Sequence, residues 1–269
     1  MTSTTPHSDR ADRIEALVRA ADPYAVWAEG GADPARDAPP TSPPGAPDRD
    51  TPQDVGGLLP VLALWPVLGS LVTRGELTLH TPIAAYGPRL ADGLPAGTTT
   101  HHLLTHADGP PALAALTRLA EHLGGSPPTA LAATRIWGPL GMTGTRFDGR
   151  TLHAPPADLA RFLRHLLSTA DHPIARRWTA DSLRIRTGEL TPARGLLWHP
   201  APGGVWTHHA PTRTGPALWV SPRHGRWAAL LPGAAPAGPA GSVDPAAGAR
   251  ARPLRNAFRD AVFQSTPPG

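Results

Sequence analysis

Cysteine and lysine are absent from this chain of 269 residues, and each absence narrows the chemistry open to it. Without cysteine the fold cannot depend on disulfides or thiolate metal sites, and the redox compartment stays undetermined. Without lysine all 25 basic side chains are arginines, so no catalytic motif that needs a lysine amine can be built. Two further types are scarce, with two tyrosines, Tyr24 and Tyr86, and one asparagine, Asn256.

The net charge and the lengths of the apolar runs argue against a nucleic-acid partner and a membrane partner. The net charge is only +4 despite an isoelectric point near 10.7. No arginine-rich run is interleaved with aromatic residues, so we expect no nucleic-acid partner. The most apolar run, 58–72, is shorter than the roughly 20 residues of a membrane span and contains Pro60 and Pro66. Residues 1–13 are polar and do not form a secretory signal, so we expect no membrane partner and a cytoplasmic protein.

Apolar spacing predicts helices at both ends of the chain and strands before the last helix. Residues 12–21 and the apolar run 58–74, which ends at Gly75, have helical spacing. Residues 30–57 are rich in proline, aspartate and glycine and are predicted to be a loop. Further helices are predicted at 99–106, 112–123, 157–168 and 253–263, and strands at 204–207, 217–220 and 227–231. This order indicates an α+β fold in which terminal helices cover one face of an antiparallel sheet.

Several runs, in a consistent order, resemble a known family. Thr-Thr-His-His-Leu-Leu-Thr-His-Ala-Asp-Gly at 99–109 resembles the pattern T-V-R-H-L-L-T-H-T-S-G. Ile-Trp-Gly-Pro-Leu-Gly-Met at 136–142 resembles I-F-x-P-L-G-M, and Ala-Pro-Pro-Ala-Asp-Leu-Ala-Arg-Phe at 154–162 resembles S-T-A-x-D-L-A-R-F. Thr-Gly-Pro-Ala-Leu-Trp-Val at 214–220 resembles the inner strand T-G-x-S-L-W-V. The chain therefore resembles the serine β-lactamase-related, penicillin-binding-protein-like hydrolases, which include class C β-lactamases and esterases.

The resemblance implies a β-lactamase/transpeptidase-like fold with an antiparallel sheet and a helical subdomain. We expect one domain overall, with a tail and helix at 1–29, the proline-rich loop at 30–57 and the β-lactamase-related part at 58–269. The helical subdomain is expected at about 76–200, followed by returning strands and the last helix at 201–269. The family has two strands before its nucleophile, so the loop predicts missing or rearranged pairs at that sheet edge.

The first family motif, Ser-x-x-Lys at the start of the long helix, is missing. In the family the serine attacks a carbonyl, and the lysine one helical turn later lowers the cost of its deprotonation. The resemblance places the serine at Gly57 and the lysine at Pro60. A shift of one residue gives Leu58 and Val61, which supply neither a hydroxyl nor an amine. We therefore expect no catalytic residue of the family type.

The second and third motifs are also missing. Neither Tyr-x-Asn nor Ser-x-Asn occurs in the sequence. The third motif, Lys-Thr-Gly or His-x-Gly, should fall just before Thr214-Gly215, where neither is present. The residues near that position form a candidate pocket, in which a histidine could act as a base or bind a ligand: His208, His209, Thr212, Arg213, Thr214 and Gly215.

Two other candidates have simpler structural interpretations. Ser70 lies inside the apolar helix, where serines usually bond to the preceding turn. His102 and His106 are four residues apart, but no glutamate accompanies them as in a metalloprotease motif. We therefore expect no metal site and no cofactor.

The missing motifs favour an inactive member of the family that binds a small molecule or a partner protein. The alternative is an esterase, amidase or transferase that uses rearranged residues such as His208, His209 and Arg213. A decaying gene product without selected function is a third interpretation, since fold does not determine function. The sequence identifies neither the ligand nor the oligomeric state.

Overall fold

The computed structural model describes residues 6–33, 50–106, 109–189, 192–212, 215–233 and 245–264. The chain divides into two units, each made of segments that are distant in sequence. The sheet unit consists of Met1–Leu58, Gly144–Ser168 and Ala201–Gly269. The helical unit consists of Leu59–Thr143 and Thr169–Pro200.

Eight α-helices and eight strands lie in the described ranges. The helices are α1 Pro6–Ala21, α2 Trp65–Thr73, α3 Thr100–Thr105, α4 Pro110–Gly124, α5 Pro128–Ala132, α6 Pro156–Leu167, α7 Arg176–Ser182 and α8 Pro245–Phe263. The strands are β1 Val26–Gly31, β2 Gln53–Asp54, β3 Arg146–Phe147, β4 Leu152–Ala154, β5 His199–Ala201, β6 Val205–His209, β7 Ala217–Ser221 and β8 Arg226–Leu231.

The main sheet has five strands in the order β1-β8-β7-β6-β5. Strands β1, β8, β7 and β6 pair antiparallel, with Val26 opposite Leu231 and Thr207 opposite Trp219. The short strands β2, β4 and β3 form a separate antiparallel sheet. The α+β class and the antiparallel sheet predicted from the sequence are confirmed.

The first and last helices cover one face of the main sheet, as predicted. Ile14 and Val18 of α1 and Phe258 of α8 are buried with apolar residues of the strands. The Phe258 ring lies 6.0 Å from the Trp27 ring and 5.5 Å from the Trp219 ring. Burial of such large aromatic side chains supplies much of the apolar contact that holds these helices to the sheet.

Helix α6 belongs to the sheet unit, whereas the sequence-based boundaries included it in the helical subdomain. The predicted helix at 157–168 is present as α6, in which Leu159, Phe162 and Leu163 are fully buried, and it packs on β1, β7 and β8. Asp158 is also buried, and its carboxylate accepts bonds from the Gly144 amide at 2.9 Å and the Thr145 hydroxyl at 2.8 Å. The chain therefore returns to the sheet unit at Gly144.

The predicted tail and loop contain regular structure that the sequence analysis missed. Strand β1 crosses the expected boundary at residue 29, and β2 lies inside the expected loop, of which 34–49 are outside the described residues. Strand β1 is hard to recognise from the sequence because one of its buried residues is the charged Glu29, which is 1% exposed. Arg10 and Arg226 both donate to the Glu29 carboxylate, so this buried charge is paired as burial requires.

Tryptophans fix the core of the helical unit. The Trp65 indole donates to Ser182 Oγ at 2.9 Å, and the Trp178 indole donates to the Trp65 carbonyl at 3.1 Å. Helix α2 approaches Trp178 closely because position 69 is glycine, where a Cβ would clash with the indole ring. Among the described residues no helix is both long and apolar enough to cross a membrane.

Candidate functional site

Gly57 lies in a short 3-10 helix, Gly56–Leu58, directly before the π-helix Pro60–Leu64 that leads into α2. Backbone bonds fix this segment, because the Leu58 amide donates to the Val55 carbonyl and the Val55 amide donates to the Leu152 carbonyl, both at 2.7 Å. The Gly56 amide also donates to Asp54 Oδ1 at 2.8 Å. Position 57 is thus placed by bonds on both sides of it.

The space that a side chain at position 57 would occupy is filled by Ala210. A Cβ built on Gly57 would lie closer than 3.0 Å to the Ala210 Cβ and 3.0 Å from its Cα. Side chains do not approach each other so closely in real structures. Ala210 is 3% exposed, so its methyl group cannot turn away into solvent. A serine at position 57 is therefore excluded unless the backbone moves.

Ala210 begins a turn that leads from β6 to β7. Its amide donates to the Pro216 carbonyl at 3.0 Å, and the Gly215 amide donates to the Thr212 carbonyl at 3.3 Å. A Cβ at Gly215 would clash with both the Ala210 methyl group and the Thr212 hydroxyl. The turn therefore needs glycine at position 215, and glycines at 57 and 215 both leave room for Ala210.

Arg255 of α8 supplies the cation at this turn. Its Nη2 donates to the Thr212 carbonyl at 3.0 Å and also to the Gly215 carbonyl. Burial lowers the pKa of the Arg255 guanidinium. The predicted pocket residues Arg213 and Thr214 lie outside the described residues. Sequence reasoning missed Arg255 because it lies on the C-terminal helix, far from any family motif.

The two histidines of the predicted pocket do not point to the same side of the sheet. His209 lies opposite Ala217, a member of the core under the terminal helices, whereas His208 lies opposite Leu218. Successive residues of a strand face opposite sides of a sheet. His208 is 7% exposed, while His209 is exposed and places Nδ1 3.0 Å from the Ala210 carbonyl oxygen. The two rings cannot act on one substrate from these positions.

A serine and a histidine do meet in the turn between β7 and β8, which the sequence analysis did not single out. Ser221 Oγ lies 2.8 Å from His224 Nδ1 and 2.8 Å from the Gly204 carbonyl oxygen. Since a hydroxyl has one proton and a carbonyl only accepts, Ser221 donates to Gly204 and accepts from His224. A histidine that acts as base would accept instead. Ser221 is also fully buried, so this pair stabilises the turn.

The remaining sequence candidates also have structural partners. Ser70 accepts a bond from Arg74 Nη1 at 2.8 Å. His102 caps α3, since its Nδ1 accepts from the Thr99 amide at 3.3 Å while Thr99 Oγ1 accepts from the His102 amide at 3.2 Å. Nδ1 of His106 lies 2.9 Å from Thr105 Oγ1. Within the described ranges no three potential ligands cluster to hold a metal ion.

No family model and no curated protein matches the chain. Solved structures do match, at low identity and over most of the length. A β-lactamase from Sulfitobacter sp. EE-36 has a TM-score of 0.71 at 12% identity, covering 95% of this chain and 99% of its own. A class C β-lactamase from Rhodobacter sphaeroides gives 0.66 at 16% identity, with 94% and 100% covered. Unliganded simvastatin synthase from Aspergillus terreus gives 0.68 at 14%, with 97% and 100% covered. The chain has the fold of β-lactamases and penicillin-binding-protein-like serine hydrolases.

Proposed function

We propose that this chain is a non-catalytic protein of the β-lactamase fold, which binds a small molecule or a partner protein instead of hydrolysing a substrate. The observation that carries the proposal is the contact between Gly57 and Ala210. A lost serine side chain alone would leave its space open, whereas here the Ala210 methyl group occupies that space. This packing supports the proposal for the position that the resemblance assigns to the nucleophile.

The sequence also lacks the base that the family mechanism needs. A serine hydrolase of this type needs an amine or an equivalent base to take the proton of its nucleophile. Pro60 stands where the lysine would be, and the whole sequence has no lysine. Arginine cannot replace it, because a guanidinium stays protonated in proteins.

Neither of the two tyrosines lies in a Tyr-x-Asn motif. The Tyr86 hydroxyl accepts a bond from the Thr78 amide at 2.8 Å. Tyr24 lies before β1 at the surface, 46% exposed. Hydrolysis by rearranged residues is the weaker alternative, because His208 and His209 face opposite sides of the sheet.

The test is the intact mass of the protein after incubation with a fluorophosphonate probe and, separately, with a penicillin. We expect no covalent adduct with either reagent from a sample that unfolds cooperatively. A stoichiometric adduct on the folded sample, absent from a heat-unfolded control, would contradict the proposal. In parallel, a melting temperature that rises with penicillin concentration without an adduct would indicate binding without chemistry.

A further inference from the structure

Three histidines of the helical unit lie in contact at the start of α3. The His80 and His101 rings have centroids 5.1 Å apart and planes inclined by 33°. The His101 and His102 rings are 6.2 Å apart, nearly edge to face. Neutral imidazoles pack well in this way, but two adjacent imidazolium ions would repel each other.

His102 can perform its capping role only in its neutral form. The Thr99 amide donates to His102 Nδ1 at 3.3 Å, so this nitrogen must carry a lone pair and the proton must be on Nε2. Protonation would place an N–H group against the Thr99 N–H group. The helix start would then lose half of its reciprocal capping pair.

His101 is surrounded by positive or potentially positive groups. Burial is the largest cause that lowers the pKa of His101, followed by His80, His102, Arg186 and His106. Among the described residues no carboxylate is a counterion for the ring. Arg186, which follows α7, already has a carboxylate partner in Asp181 at 2.7 Å.

The same histidines sit where the segment 78–99 is fastened to α3. The His101 amide donates to the Leu79 carbonyl at 2.9 Å, and the Ile83 amide donates to the Thr98 carbonyl at 2.9 Å. A β-bridge joins Pro82 to Thr99. Of these contacts, the bond from the His101 amide to the Leu79 carbonyl joins the segment to α3, and the other two close the segment on itself. Repulsion among the rings and loss of the cap would act directly on the bond between His101 and Leu79.

We propose that His101, whose ring packs between those of His80 and His102, is the acid-sensitive part of a latch, which holds the segment 78–99 to α3 at neutral pH and releases it when the His101 ring is protonated. The direction of the pH dependence follows from the preference of the folded state for a neutral His101. Because its pKa is lowered on folding, its contribution is complete above the unfolded value of about 6.5 and is lost as the pH falls through the folded value.

The test is hydrogen–deuterium exchange of the full chain at pH 7.5 and pH 5.0, corrected for the intrinsic pH dependence of exchange. We expect protection in peptides from 78–106 to fall at least tenfold at pH 5.0, while peptides from α4 change much less. Equal corrected protection at the two pH values would overturn the proposal.

Two variants separate the latch from general acid sensitivity. In the double variant H101Q/H102Q both side chains stay neutral, and glutamine at position 102 completes the Thr-x-x-Gln capping pattern. It should keep its protection at pH 5.0, whereas the control H172Q, at an exposed position outside 78–106, should lose protection in 78–106 as the unmodified protein does. Loss in the double variant equal to that of the unmodified protein would contradict the latch.

A second readout does not depend on how the variants fold. Nitrogen-15 NMR of the histidine rings at pH 7.5 should show His102 as the Nε2–H tautomer. An Nδ1–H tautomer would refute the cap, because such a ring cannot accept from the Thr99 amide.

Discussion

An alanine at position 57 would force its methyl group into the methyl group of Ala210. Because the Ala210 Cα is also only 3.0 Å from the new atom, the conflict cannot be relieved by a side-chain rotation and the backbone must shift. Overpacking of this kind costs about 1–3 kcal/mol. Replacing glycine by alanine in an unstrained position instead gains about 0.4–1 kcal/mol. We therefore expect Gly57→Ala to destabilise the protein by about 1–2 kcal/mol.

The partner substitution makes the test specific to the contact. Ala210→Gly alone should cost about 1–2 kcal/mol, from one lost buried methyl group and the added freedom of glycine. The double variant G57A/A210G should lose less stability than the sum of the two single losses, since the methyl groups no longer collide and only the 3.0 Å approach to the Cα of residue 210 remains. The coupling energy should be about 1–2 kcal/mol, typical of residues in direct contact.

Urea denaturation followed by tryptophan fluorescence measures all three variants. Gly188→Ala is the matched control, because a Cβ there meets no atom within 4 Å, and it should change stability by at most about 0.5 kcal/mol. Additive losses in the double variant, or a Gly57→Ala protein as stable as the unmodified one, would refute the packed-site interpretation.

Three further predictions concern other parts of the fold. Glu29→Gln leaves Arg10 and Arg226 without their carboxylate partner and should lower the free energy of unfolding by about 2–4 kcal/mol. The cost is below that of a fully buried ion pair because both arginines are partly exposed. The control Glu76→Gln, which breaks an exposed pair with Arg74, should leave the urea midpoint unchanged. Leu197 is buried with a φ of 63°, a conformation that glycine adopts without strain. In urea denaturation Leu197→Gly should therefore be at least as stable as Leu197→Ala, whereas Leu196→Gly should be less stable than Leu196→Ala by about 1 kcal/mol. The pKa of Asp148 is lowered to about 2 by amide bonds from Thr151 and Arg150 and by the His153 side chain. Its stabilising effect should be complete above the unfolded value near 4 and lost as the pH falls through 2; a carboxyl NMR titration with a midpoint near 4 would contradict this.

The parts of the fold that were predictable are those set by short-range patterns. The face of α6 follows from residues three and four apart, and the strands β7 and β8 follow from apolar runs between turn residues. Strand β1 was not predictable in this way, because its buried Glu29 is balanced by Arg10 and Arg226, which are distant in sequence. Helix α7 was missed because Trp178 is its only large apolar residue.

In the candidate site, too, the features that follow from short-range patterns were predictable and those that depend on long-range contacts were not. The resemblance pointed to Gly57, just before the long apolar helix, and to Gly215, inside the family-like run 214–220. It gave no information on what packs beside Gly57, because the contact of Gly57 with Ala210 joins two segments that no local pattern connects. The position of Arg255 depends on the packing of α8 on the sheet, which is likewise a long-range property.

The mutual fit of Gly57, Ala210 and Gly215 is what the proposed function predicts for a repacked site, in contrast to a decaying one. Loss of a buried side chain without compensation leaves a cavity, which destabilises a protein by about 24 cal/mol for each Å³. Here the methyl group of Ala210 occupies the space between the two glycines, and Arg255 holds the turn through two carbonyls. We therefore expect the amides of Val55 and Ala210, both bonded to backbone carbonyls, to exchange only through global unfolding. Exchange of these amides by local opening, at rates close to those of surface loops, would instead favour a decaying gene product.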